Sequence, residues 1–215
     1  MQTCRNHKYL LIEISVVLVL SFALAVGSYA RTRVWSTSVL LWSDTSSKGP
    51  SRYRAANNAG AALIAEQRFD EAITYLVWAV AANPRSVEPY YNLGVAYLKQ
   101  RNVASALPHF EEVLKINESL KGGHFGYETR RHMIIGSAAN LGNIYSLRGD
   151  MDKAIYYYKE ALALDPDALS VHFNLAQAYQ RSGRTGEAIG ELEELLRLNP
   201  SDQGARRAIL QLKNQ

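Results

Sequence analysis

Residues 135–166 read IGSAANLGNIYSLRGDMDKAIYYYKEALALDP, and the spacing within this stretch decides the fold. Small residues stand at Ala138, Gly142 and Ala154, large ones at Leu141, Tyr145 and Tyr158, and Pro166 closes the segment. The same order of residue types recurs along the chain. Pro50 and Pro84 lie 34 residues apart, as do Pro166 and Pro200, and the 82 residues between the two pairs are two such periods plus 14. A fixed period in this range marks a repeat architecture in which each unit stacks on the next.

With the closing proline set at position 32, four repeats run over 53–86, 87–120, 135–168 and 169–201. Position 8 holds Gly60, Gly94, Gly142 and Ala176, and position 20 holds Ala72, Ala106, Ala154 and Ala188. Position 24 holds Leu76, Phe110, Tyr158 and Leu192. Small residues let paired helices approach, and large ones fill the remaining space to crystal-like density. A proline cannot continue the second helix and disfavours helix at the residue before it. The second repeat departs from the pattern, with Glu118 in the proline slot.

Over Tyr53 to Pro200 the chain resembles the tetratricopeptide repeat family, whose unit is about 34 residues of helix, turn and helix. The resemblance implies an all-α, right-handed solenoid of helical hairpins. Val34 to Ser47 then falls where the second helix of a preceding half-repeat would sit, in a juncture of residues 31–52. Asp202 to Lys213 reads as a capping helix within the tail 202–215, with Ala205, Ile209 and Leu212 on one face. The extra residues fall in 121–134, where Lys121-Gly122-Gly123-His124-Phe125-Gly126 forms a Gly-rich loop and Tyr127 to Ile134 extends the next helix. Such insertions are either contact sites or tolerated surface loops.

Tyr9 to Ala30 is apolar apart from Glu13 and a few small polar residues. About 20 such residues cross a bilayer core as a helix. Residues 9–30 are therefore expected to be a single transmembrane anchor behind a short cytoplasmic tail, 1–8. Cleavage after Ala30 is the alternative, but the run is long for the apolar part of a signal peptide. With the basic tail inside, the repeats lie on the extracytoplasmic side, periplasmic or lumenal. The set Arg33-Val34-Trp35, Leu41-Trp42, Asp44, Pro50, Arg54, Asn57-Asn58 and Gly60 resembles the join between last span and first repeat in membrane O-mannosyltransferase-type proteins. That family's catalytic part is a large multi-span domain, for which a chain of 215 residues has no room.

The formal net charge is +4, of which Arg5, Lys8, Arg31 and Arg33 against Glu13 contribute +3. No basic nucleic-acid surface is indicated. Cys4 is the only cysteine, so no internal disulfide forms. His7, His109, His124, His132 and His172 show no metal spacing, and no activated nucleophile or phosphate loop is apparent. No cofactor, metal or enzymatic activity is expected.

In the family that the chain resembles, the first helix of each hairpin lines an inner groove. Position 6 there is Asn58, Asn92, Asn140 and Asn174. A carboxamide both donates and accepts, so such a ladder suits the backbone of an extended peptide. Asparagine is also common at this slot for structural reasons. Tyr91 and Phe173 at position 5, Lys99, Gln177 and Arg181 complete a mixed lining, without a two-lysine carboxylate clamp. The expectation is a membrane-anchored scaffold or adaptor that binds a protein or peptide with apolar anchors. The alternative is a non-catalytic accessory subunit of a larger membrane complex, such as a glycosyltransferase.

Overall fold

The computed structural model describes residues 52–119 and 127–214. The tail, the span, nearly all of the juncture and the Gly-rich loop lie outside the described residues. Within those described, every regular element is an α-helix. Helices α1 (Arg52–Ala65) and α2 (Phe69–Ala82) form the first hairpin, α3 (Val87–Lys99) and α4 (Val103–Ser119) the second. The third is α5 (Tyr127–Arg148) with α6 (Met151–Leu164), and the fourth is α7 (Leu169–Arg181) with α8 (Thr185–Leu198). A last helix, α9 (Gln203–Lys213), packs on α8. None of these helices is long and apolar enough to cross a membrane.

The turn inside each hairpin is built the same way. Position 15 adopts the left-handed conformation in all four repeats, at Gln67 (φ 61°), Arg101 (φ 61°), Gly149 (φ 83°) and Gly183 (φ 76°). The next amide then reaches back to the carbonyl at position 11: Arg68 to Leu63, Asn102 to Tyr97, Asp150 to Tyr145 and Arg184 to Tyr179, at 2.8–3.0 Å. This closure satisfies carbonyls that a helix end would otherwise leave bare. Gln67 and Arg101 hold it at a conformational cost that glycine avoids.

The turn between hairpins depends on proline. Asn83-Pro84, Asp165-Pro166 and Asn199-Pro200 each open a four-residue turn, and the Ser86, Ala168 and Asp202 amides donate back to Asn83, Asp165 and Asn199. Asn or Asp followed by proline is what such a turn favours. In these three repeats the second helix has 14 residues. Where Glu118 replaces proline, α4 runs on to Ser119 and has 17.

Packing within each hairpin turns on position 8. A Cβ on Gly60 would come within 2.5 Å of the Leu76 side chain, one on Gly94 within 2.6 Å of the Phe110 ring, and one on Gly142 within 2.5 Å of the Tyr158 ring. The facing alanines at position 20 are completely buried in all four repeats. Each second helix also packs on the first helix of the next hairpin, and α1, α3, α5 and α7 touch in turn. The result is the expected all-helical solenoid. One side of it is made by the first helices, hereafter the A face, and the other by the second helices, the B face.

Candidate peptide-binding face

The A face brings the four predicted asparagines onto successive helices, all half-buried. Two of them are bonded to the preceding repeat. The Asn92 amide donates to the Asn57 carbonyl oxygen on α1 at 2.9 Å. The Asn174 amide donates to that of Asn143 on α5 at 3.0 Å. Asn143 also accepts from the Tyr158 hydroxyl at 2.7 Å, so one carboxamide ties two hairpins together. Asn58 accepts a longer bond from its neighbour Asn57, at 3.5 Å. Asn140 has no side-chain partner among the described residues.

The other predicted residues divide in the same way. Tyr91 is half-buried: its ring edge meets Phe110, with centroids 6.1 Å apart, and it lies over Gly136 of the next hairpin, where a Cβ would come within 2.9 Å of its hydroxyl. Burial pushes its phenol above the ordinary range. Arg181 donates to the Ser146 carbonyl at 2.9 Å and to its hydroxyl at 2.8 Å. These two side chains join repeats. Lys99, Phe173 and Gln177 are exposed. Three residues of this face went unnamed in the sequence: Asn143, Ser146 and Leu147. They occupy positions 9, 12 and 13 of the third repeat, and the register alone could have found them. Leu147 is 75% exposed.

At its amino-terminal end the face has a cavity of about 260 Å3 lined by Tyr53, Arg54, Asn57, Asn58, Ser86 and Glu88. Arg54 donates to the Tyr53 hydroxyl at 2.9 Å, and Ser86 bonds Glu88. Asn140, Phe173, Gln177 and Leu147 thus offer one exposed or half-buried strip of amides and apolar side chains over α5 and α7. Such a strip can hold a polypeptide by hydrogen bonds and apolar anchors. Among the described residues no cluster of three His, Cys, Asp or Glu side chains is placed to hold a metal ion.

Models of tetratricopeptide repeats match residues 57–120, 142–183 and 170–202. The protein ycf37 of Cyanophora paradoxa is 30% identical over 152 residues, which are 70% of this chain and 83% of that one. The photosystem I assembly protein Ycf3 of Prochlorococcus marinus is 31% identical over 116 residues, 54% of this chain and 60% of that one. Two solved structures share the fold at lower identity. MamA superposes with a TM-score of 0.64 at 19% identity, covering 75% of this chain and 86% of that one. YrrB, described as having an unusual peptide-binding site, gives 0.62 at 17% identity, covering 87% of each.

Proposed function

The chain belongs to the tetratricopeptide repeat family, and from that premise we propose that it is a membrane-tethered scaffold whose A face holds a segment of another protein. Its span, residues 9–30, fixes it to the bilayer with the repeats on the extracytoplasmic side. Its role is to organise or assemble subunits of a membrane complex. The observation that carries this reading is the strip of Asn140, Leu147, Phe173 and Gln177. These side chains are left over after packing, on helices held rigid by the hydrogen bonds of Asn143 and Arg181. The assembly role named for the Ycf3 relative supports the second step, and the apolar run Tyr9 to Ala30 supports the tether.

The alternative, an accessory lobe of a membrane glycosyltransferase, rests on the juncture motif. Arg54, Asn57, Asn58 and Gly60 are its members among the described residues. Asn57 accepts from Asn92, and Gly60 makes room for Leu76, so repeat packing already accounts for both. The scaffold reading is therefore preferred.

A photo-crosslinking residue placed at Gln177, in the full chain within its own membranes, should capture a polypeptide that the same probe at Glu193 on the B face does not. No capture at Gln177 would refute A-face binding. For a captured partner, Asn140→Ala should weaken binding without changing the melting temperature. Asn92→Ala should cost about 1 kcal/mol of stability, because it breaks a bond between repeats.

A further inference from the structure

On the B face, between the second and third hairpins, lies a cavity of about 330 Å3. One register position contributes to it. Position 4 of the first helix is Tyr90 in the second repeat and His172 in the fourth. The Tyr90 ring packs 6.3 Å from that of His109. His172 is buried and bridges its neighbours, with one ring nitrogen 2.7 Å from Glu191 on α8 and the other 2.9 Å from the Pro166 carbonyl. In the first and third repeats the same position is alanine, Ala56 and Ala138, and Ala138 lines the cavity. The space that a ring fills in the second and fourth repeats stays open here, between α4 and α6.

The chemistry of this cleft is polarised. Leu114, Ile134 and Leu164 give it an apolar interior, beside the rings of Tyr156 and Tyr157. Glu111 and Glu160 also line it, and neither has an ion pair among the described residues. Lys115, the basic residue of the lining, is paired with Glu112 at 3.0 Å. Arg131 donates to the Leu164 carbonyl and so caps α6. Glu111 accepts from the Tyr145 hydroxyl at 3.2 Å through one of its two carboxylate oxygens.

We propose that the cleft takes an arginine or lysine side chain from an apolar stretch of a partner polypeptide. The alkyl stem fills the volume left by Ala138, and the charged head meets Glu111 and Glu160. Long basic side chains suit such a site because they bury the stem and keep the head polar. A guanidinium gains further from charge-assisted hydrogen bonds and from the neighbouring tyrosine faces. This surface lies opposite the A-face strip, so its occupation is independent of the reading above.

The test uses the full chain in detergent with 13C-labelled methyl groups, titrated with a blocked Gly-Leu-Arg-Leu-Gly peptide and with its Gly-Leu-Glu-Leu-Gly counterpart. The arginine peptide should give saturable shifts at Leu114, Ile134, Ala138 and Leu164, and the glutamate peptide none. Combining Glu111→Gln with Glu160→Gln should weaken binding about fivefold. Ala138→Tyr should abolish the shifts and melt no lower than the parent, since its ring enters existing space. No shifts with the arginine peptide, equal shifts with both peptides, or shifts that persist in Ala138→Tyr would each overturn the proposal. Should Ala138→Tyr not fold, the double glutamine variant still decides, because unchanged affinity there sinks it. If the arginine peptide has no effect but deletion of residues 120–126 moves these methyls, the chain's own loop is the occupant and the proposal fails.

Discussion

A methyl group at position 142 would sit 2.5 Å from the Tyr158 ring, closer than any relaxed contact allows. Tyr158 is 2% exposed and its hydroxyl is bonded to Asn143, so the ring has little freedom to move aside. Gly142→Ala should therefore destabilise by roughly 1–3 kcal/mol. Gly190 in α8 has nothing within 4 Å of its would-be Cβ. There the same change should stabilise by about 0.5–1 kcal/mol, because alanine loses less backbone entropy on folding. Opposite shifts of the urea midpoint at constant slope would establish both. Tyr158 also sets a pH limit. Burial raises its phenol from the ordinary 10.0 to about 12. Burial likewise raises Tyr90, Tyr91, Tyr145 and Tyr157. The folded chain favours the neutral phenol, so this contribution to stability is complete below the ordinary value. It is lost as pH rises, since the unfolded tyrosine ionises first. The melting temperature should fall between about pH 10 and 12, and less steeply in Tyr158→Phe. An equally steep fall in that variant would assign the loss to the other tyrosines.

Each element ends where its chemistry runs out. The three 14-residue second helices stop two residues before a proline, and α4, with Glu118 in that slot, continues. Helix α9 begins on a different device: the Asp202 carboxylate accepts from the Ala205 amide at 2.9 Å. Its apolar face, Ala205, Ile209 and Leu212, is buried, while Arg206, Arg207 and Lys213 remain exposed. Asp202→Ala should cost about 1 kcal/mol, read as a lower melting temperature. Because α9 covers the last hairpin, hydrogen exchange in α8 should quicken in that variant more than exchange in α2. Uniform acceleration along the chain would mean that the cap is not coupled locally, as a stack of neighbours requires.

At the scale of the whole molecule, the hairpins form a continuous stack whose central core runs from Ala106 to Leu212. The residues from Val34 onward carry slight net charge, and most of the chain's positive excess comes from Arg5, Lys8, Arg31 and Arg33, which flank residues 9–30. The proposed membrane attachment is therefore expected to depend on residues 9–30 alone. Alkaline carbonate should leave the full chain in the membrane pellet and release a variant lacking residues 9–30. The released variant should keep its helical circular dichroism, since the described helices pack on one another along the stack. Retention of the shortened chain in the pellet would place the attachment elsewhere.

The period of the prolines, with glycine and alanine at fixed slots, was enough to specify an all-helical stack of hairpins. Those features act locally, through turn chemistry and through the volume that two adjacent helices leave each other. The asparagines at position 6 were equally legible as residues, but their roles were not. Asn92 and Asn174 donate to Asn57 and Asn143, which lie 35 and 31 residues away. Arg181 is bonded to Ser146, and Tyr91 lies over Gly136. Each of these contacts crosses from one hairpin to the next, so it exists only once the stack has formed. Tertiary structure alone decided which polar side chains are consumed in joining repeats and which, like Asn140 and Gln177, stay available to a partner. It also turned the small side chain of Ala138 into a cleft, because an absent ring becomes a cavity only when the helices on either side are held apart by their own packing.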